Sequence, residues 1–323
     1  MQQGRSSLRI VARTNGVGLD RDAAILLDAF ASWGDRPAFS HYRSISPVRR
    51  FLDRRDPAET ILFLERVTAR WLRRAGRYLL IPNQERYPER LVPLLRGIDH
   101  ILVKTRHAEE IFRVRHPSVH YIGFTSPDRL LPDLPPDYGR FLHLAGSSRL
   151  KGTETLIEVW ARHPEWPELT VVRHGKDAPR DVPRNVRVVN RYLTDQELRE
   201  LQNVCGVHLC PSLGEGWGHY IVEAMSCGAV TLTTDAPPMN ELVGPDRGVL
   251  VRYRRSEPRK LGFNFYVDPD ALEAAIQRLI EMPASEKERL GRAARAWYEE
   301  NDREFRERLR RVVGEVGVVC PER

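Results

Sequence analysis

Between residues 126 and 139 the chain places Pro127, Pro132, Pro135, Pro136 and Gly139. Proline fixes φ and lacks a backbone donor, so this stretch reads as a linker between folded parts. The same rhythm starts on either side of it. Before it, the strand-like run 8–12 leads through Asn15-Gly-Val-Gly18 into a helix with Ala23, Ile25, Leu26, Leu27, Ala29 and Phe30 on or near one face. After it, 140–145 reads as a strand, 146–152 as a loop and 153–161 as a helix. Strand, glycine loop, helix is how a parallel α/β sheet begins. Two such beginnings in 323 residues predict two doubly wound, Rossmann-like domains facing a central cleft.

The remaining elements follow from apolar runs and caps. Strands are predicted at 78–81, 100–103, 119–122, 169–172, 186–189, 207–210 and 230–233. Helices are predicted from about Ala108, over 195–203 with Thr194 as N-cap, up to about Cys227, and over 270–281 and 285–313. Residues 44–77 read as Arg-rich and partly helical. The expected domains are 1–136, 137–300 and a helical end, 301–323, that returns to the first domain, with Trp297 as its anchor.

Charge divides the chain unevenly. Residues 1–136 carry 23 basic and 15 acidic side chains, whereas 137–323 carry 28 and 29. The net +7 therefore lies in the first half and points to an anionic partner there, or to Arg-rich coding. The cluster Arg49, Arg50, Arg54, Arg55, Arg66, Arg70, Arg73, Arg74 and Arg77 suits peripheral contact with an anionic membrane surface, against the alternative of a solvated face. No run approaches 18 consecutive apolar residues and the start is polar, so neither a membrane span nor a secretory leader is expected. Cys205, Cys210, Cys227 and Cys320 show no zinc spacing and read as reduced, buried thiols. A cytoplasmic location is expected, extending to the inner face of the membrane.

The richest segment is Pro211-Ser-Leu-Gly-Glu-Gly-Trp-Gly-His-Tyr-Ile-Val-Glu-Ala-Met-Ser-Cys-Gly228. Gly216 and Gly218 sit at a strand-to-helix transition, where glycine admits a ligand close to the backbone. The following helix offers free N–H groups to a phosphate. Glu223 lies about one turn into it, placed to accept hydrogen bonds from ribose hydroxyls. Trp217 and Tyr220 are candidate walls of a sugar pocket, with core packing the alternative. A second segment, Gly146-Ser-Ser-Arg149-Leu-Lys151-Gly152, sets two cations after a strand, suited to a diphosphate leaving group without metal. Asp20-Arg-Asp22 and Asp268-Pro-Asp270 read as helix caps and not as metal ligands.

These segments resemble the retaining, nucleotide-sugar-dependent glycosyltransferases of the GT-B fold, in particular the glycogen-synthase-like group called family 4 or glycosyl transferases group 1. The matching stretches are 141–146 with Lys151-Gly152, Arg191-Tyr-Leu-Thr-Asp-Gln-Glu-Leu198, 215–224, and 228–234 with Asn240-Glu-Leu-Val243. Asn15-Gly-Val-Gly18 is similar to the family's first glycine loop. The resemblance implies that Glu215 faces the donor sugar, Glu223 holds the ribose and Lys151 neutralises the diphosphate. Arg149 is implied only loosely, because Ser147 follows Gly146 and the loop is short. It implies further that Gly146, Gly216, Trp217, Gly218, His219 and Tyr220 contact sugar and phosphate, that Tyr192 lies near the base, and that Gly16 and Gly18 close over the diphosphate. Metal independence and front-face retention are also implied, with no cofactor beyond the donor substrate.

In the first half, Asn83, Glu85 and His107 follow strand ends, where α/β sheets place ligands, and are candidates for the acceptor side. The lone His143, His174 and His208 read as structural. The expected reaction is sugar transfer from a nucleotide diphosphate donor to a glycan, glycolipid or small molecule, in a setting such as cell-surface polysaccharide synthesis. Two alternatives stand beside it: another GT-B enzyme, such as a nucleotide-sugar epimerase or a phosphorylase, and a basic non-enzymatic protein bound to membrane or nucleic acid. No RNA or DNA motif appears, so nucleic acid is not an expected partner.

Overall fold

The computed structural model describes residues 8–13, 18–43, 58–175, 178, 179 and 181–318. Gly16 with most of its glycine turn, Arg49, Arg50, Arg54, Arg55 and Cys320 lie outside the described residues. The chain forms two compact units. The first comprises the described residues of Met1–Ser126, Arg259–Gly262 and Asp302–Arg323; the second comprises those of Pro127–Pro258 and Phe263–Asn301.

Unit 1 holds β1 (Leu8–Ala12), α1 (Gly18–Ser32), β2 (Ala38–His41), β3 (Thr60–Glu65), β4 (Arg77–Pro82), β5 (His100–Val103), α2 (Arg106–Arg113) and β6 (Val119–Tyr121). The strands form one parallel sheet in the order β2-β1-β3-β4-β5-β6. Helix α1 buries Leu19, Ala23, Leu26 and Phe30, spaced by four, three and four residues along one face. Thr105 caps α2 by accepting from the Ala108 N–H at 3.1 Å.

The expectation of helix within the Arg-rich stretch is corrected at 60–65. Thr-Ile-Leu-Phe-Leu-Glu is a strand buried along its whole length between β1 and β4. A strand covered on both faces needs apolar residues at every position, and that continuous run is not amphipathic. Ile61, Leu62 and Leu64 therefore belong to the sheet core and are not beside a basic helix. Arg66 is turned back onto Glu65, and Arg77 donates to the Gly317 carbonyl at 2.6 Å.

Unit 2 holds β7 (Asp137–Gly146), α3 (Thr153–Ala161), β8 (Leu169–Arg173), β9 (Val186–Val189), α4 (Asp195–Val204), β10 (Cys205–Cys210), α5 (His219–Ser226), β11 (Val230–Thr234), α6 (Met239–Leu242), β12 (Gly248–Val251), the strands β13 (Tyr253–Arg259) and β14 (Gly262–Val267) apart from Arg259 and Gly262, α7 (Pro269–Glu281) and most of α8 (Ala284–Glu315). Its parallel sheet runs β12-β11-β10-β7-β8-β9. Chain order reverses between β7 and β10, which makes that pair the switch point of a doubly wound sheet. Phe141, Trp160, Trp166, Leu209 and Ile276 are among the core residues beneath it.

Caps follow the predicted chemistry. Thr194 and Glu197 form a reciprocal capping box on α4, and Asp268 accepts from the N–H groups of Asp270 and Ala271 at the start of α7. Asp22 does otherwise. It sits five residues into α1 and pairs with the buried Lys104 Nζ at 2.5 Å, while Asn83 accepts from the same ammonium at 3.1 Å. Helix α8 ends in unit 1, where Phe305 and Leu309 are fully buried and Phe305 meets Phe124 edge-on at 5.0 Å. Trp297 lies in unit 2 beside the Arg247 guanidinium. The first linker residues belong to unit 2 as well: Arg129 is held by Gln202, Asp195 and Ser226, and Asp128 by Arg295.

His143 and His208 are buried structural residues. His143 joins the Leu209 carbonyl at 2.7 Å to the Thr153 hydroxyl at 2.9 Å, and His208 meets the carbonyls of Gln202 and Cys205. Burial lowers both pKa values to about 4. Below pH ~6.5 the unfolded chain takes up protons that the native state refuses until about pH 4. Stability is thus full above about pH 6.5 and falls on acidification, by about 3 kcal/mol per histidine at most. Urea midpoints at pH 7.5, 6 and 5 should fall in that order, with a shallower fall for His208→Gln; a midpoint constant over that range would contradict the burial of both rings.

Candidate active site

β7 and β10 are hydrogen-bonded neighbours, with Phe141 paired to Val207 and Leu142 to His208. Their C-terminal ends release two loops side by side, 147–152 and 211–218. In the first, Arg149 is exposed and Lys151 half-buried; in the second, Glu215 points at Lys151. The Lys151 ammonium lies 2.6 Å from Glu215 Oε1 and 3.7 Å from the centre of the Tyr220 ring. Ser212 Oγ donates to the same carboxylate oxygen at 2.5 Å. That spends the serine's one proton, so the Tyr220 hydroxyl, also at 2.5 Å, donates to Ser212. Burial, with Cys210 and Glu215 nearby, raises the Tyr220 pKa well above the usual phenol and keeps it a neutral donor.

A relay of Tyr220, Ser212 and Glu215 thus fixes the carboxylate, with a cation on its outer side. Glycine makes the two loops fit. Gly152 has φ +71°, and a Cβ there would run into the Pro211 carbonyl. Gly218 is the N-cap of α5, and Tyr220 in its first turn lies against the Lys151 ammonium.

The other predicted residues fall as follows. Gly216, Trp217 and Tyr220 are buried, Trp217 only 5% exposed. Tyr220 forms the floor beneath Lys151, and His219 is half-buried at the start of α5. Glu223, 2% exposed on the inner side of α5, accepts from Gln202 Nε2 at 3.0 Å, and Gln202 in turn accepts from Arg129. Gly146 ends β7 at φ +55°, its carbonyl accepting from the His174 N–H. Tyr192 is 78% exposed and packs on the His174 ring with centroids 3.9 Å apart.

In unit 1, Gly18 begins α1 with open space around its α-carbon. Asn83 is engaged by Lys104, and Glu85 is buried with Arg86 beside it. Desolvation lowers the His107 pKa, opposed by Glu110. Among the described residues no group of three or more His, Cys, Asp or Glu side chains is placed to hold a metal ion. None of the described helices is long and apolar enough to cross a membrane. Cys205, Cys210 and Cys227 are free and buried, and burial pushes the first thiol up to about 11 and the last to about 12.

Sequence reasoning missed three features. Ser212 is a short polar residue just past a strand end, a signal that was available. Gln202 offers no signal, since its partner lies 21 residues away on another helix. The hairpin of β13 and β14 was hidden by charged residues that mask any alternation.

Residues 134–297 match the family described as Glycosyl transferases group 1, just over half of the chain. The chain belongs to that family. Over 125 residues it is 31% identical to the serotype-specific mannosyltransferase WbdA of Escherichia coli, an alignment covering 34% of this chain and 15% of that protein. The alignment thus spans less than a sixth of the length of that curated relative. Among solved structures, a glycosyltransferase from Rickettsia africae superposes with a TM-score of 0.71 at 12% identity, over 96% of this chain and 97% of that one. Anabaena Alr3699/HepE, solved with UDP, gives 0.70 at 14% over 96% and 100%. Sucrose-phosphate synthase from Thermosynechococcus elongatus gives 0.68 at 16% over 97% and 99%. At these identities the likeness establishes the GT-B fold.

The two-loop geometry has a direct test. Gly152→Ala in this glycosyltransferase combines left-handed backbone with a carbonyl clash and should lower stability by about 2 kcal/mol or more. Calorimetric melting checks this; an unchanged Tm would mean that the loops do not pack as described.

Proposed function

We propose that this glycosyltransferase moves a hexose from a nucleotide diphosphate sugar to a glycan or glycolipid with retention of anomeric configuration, without metal. The observation that carries the reading is the Lys151–Glu215 pair at the β7/β10 switch point, beside the N-terminus of α5.

Cleaving a nucleotide sugar separates charge: the diphosphate leaves negative and the sugar turns oxocarbenium-like. Lys151, the exposed Arg149 and the first N–H groups of α5 all suit the diphosphate. Glu215, held by Ser212, suits the positive sugar. Without donor the two groups neutralise each other; a diphosphate at Lys151 shares the ammonium and leaves Glu215 to the sugar. Such a pair needs no separate metal to balance the leaving group. Gly146, Gly216 and Gly218 are assigned to backbone contacts with sugar and phosphate. Glu223, steadied by Gln202, is assigned to the ribose, and Tyr192 on His174 offers an exposed ring to the base. Gly16 and Gly18 are assigned to the diphosphate, and Asn83, Glu85 and His107 to the acceptor side.

The WbdA likeness favours mannose as the sugar and surface polysaccharide as the product class. A cytoplasmic enzyme at the inner membrane face, using its basic unit 1 for contact, fits that setting.

Thermal shift against GDP-mannose, UDP-glucose, UDP-N-acetylglucosamine and dTDP-glucose should raise Tm with one donor class, because a ligand bound only to the folded state stabilises it. With that donor, Lys151→Ala and Glu215→Gln should each lower kcat by roughly 10²–10³. No shift with any of the four, or full activity in both variants, would refute the assignment.

A further inference from the structure

The link between β12 and α7 is 17 residues long, whereas strand-to-helix links in such sheets usually take about 2–6. It is folded: β13 and β14 form their own two-stranded sheet. Because β12 is parallel to β7 and β10, this hairpin leaves the sheet at the edge that carries the Lys151 and Glu215 loops. It is also bonded to the second of them. The Phe265 N–H donates to the Leu213 carbonyl at 2.6 Å, and a Cβ on Gly214 would lie 2.8 Å from the Phe263 carbonyl. The hairpin therefore rests directly on the residue preceding Glu215.

Its surface chemistry is particular. The run 252–260 looks strongly basic, but Arg252 pairs with Asp268, and Arg255 pairs with Glu257 while lying over the Tyr266 ring. Arg254 and Lys260 stay exposed, and beside them stand aromatic rings. Tyr253 and Phe263 are 40% and 41% exposed, and both rings pack on the buried Phe265, at 5.0 and 6.1 Å. Beside them Asn264 is nine-tenths buried, and its Oδ1 lacks a hydrogen-bond partner among the described residues. A buried, unpaired amide oxygen carries an uncompensated desolvation cost. A ligand hydroxyl offsets that cost, and sugars present both hydroxyls and apolar C–H faces that lie flat on aromatic rings.

We propose that the β13–β14 hairpin is an acceptor-recognition arm: Tyr253 and Phe263 stack on a neutral sugar ring of the acceptor, and Asn264 receives one of its hydroxyl hydrogen bonds. This rests on the glycosyltransferase reading of the Lys151–Glu215 site. The unpaired Asn264 oxygen beside the ring pair favours a hydroxyl-bearing neutral glycan over the phosphates of an anionic bilayer, which offer acceptors where this site needs a donor.

The test compares transfer with donor hydrolysis. With the donor found by thermal shift, p-nitrophenyl α-D-mannoside and p-nitrophenyl β-D-glucoside serve as acceptors and water as the control. Phe263→Ala, Tyr253→Ala and Asn264→Ala should each raise the acceptor KM about tenfold or more. Donor KM and hydrolysis should stay within about twofold. Phe263→Trp should restore the acceptor KM. Unaltered acceptor KM in all three alanine variants overturns the proposal, as does a parallel rise in donor KM. Loss of binding to phosphatidylglycerol vesicles in the same variants, with acceptor KM intact, also overturns it, in favour of a membrane arm. Wild-type hydrolysis with transfer to neither glycoside counts against it too. Absence of both donor binding and hydrolysis in the wild type would instead bring down the underlying reading.

Discussion

Lys151 and Glu215 lie 64 residues apart in the chain and 2.6 Å apart in space because β7 and β10 share a hydrogen-bonded register. The other features of the site depend on that adjacency. The two loops leave neighbouring strand ends at the one place in the sheet where chain order reverses, and they stay packed together, the Leu213 N–H donating to the Leu150 carbonyl at 2.9 Å. His143 reinforces the same pair from below, bonding the carbonyl of Leu209 on β10 and the hydroxyl of Thr153 on α3. A buried imidazole satisfied at both nitrogens is costly to disturb, which makes it a suitable brace beneath the Lys151–Glu215 pair.

Electrostatics then divides labour within the site. The Glu215 carboxylate takes hydrogen bonds from Lys151 and Ser212 on the same oxygen, so its orientation is set before any donor arrives. Preorganised charge of this kind is worth more than charge that must reorient during the reaction. Glu223 is prepared differently, through Gln202 and Arg129, whose backbone N–H is bound to Ser226 at the end of α5. The first residues of the linker are thereby tied into the support of the Glu223 carboxylate.

Much of this was legible in the chain. The strand ends, the glycine loops, the 215–223 spacing, the Thr194 cap and the buried cysteines each have a local cause: period, capping chemistry, or glycine at a turn. The GT-B family resemblance rested on those same local segments, and the match over 134–297 bears it out. The misreadings also have physical causes. Helical spacing of arginines around 60–65 gave way to a continuous apolar run that only a doubly covered strand can bury. Asp22 looked like a cap, but an unpaired Lys104 in the unit 1 interior would be far costlier than an uncapped turn. Trp297 looked like the anchor of the last helix, whereas Phe305 and Leu309, about two and three turns further on, are buried in unit 1.

By itself the sequence determined most strands and helices outside 60–65 and 253–267, that the chain holds two α/β sheets, and which cations and carboxylates stand at the strand ends. Those properties arise from residues close together in the chain. Only tertiary structure decided that Lys151 meets Glu215, that Ser212 and Tyr220 support the carboxylate, that Gln202 reaches Glu223, and that an aromatic hairpin rests on Gly214. Each of these contacts joins segments brought together by sheet order and helix packing, and neither leaves a periodic trace in the chain.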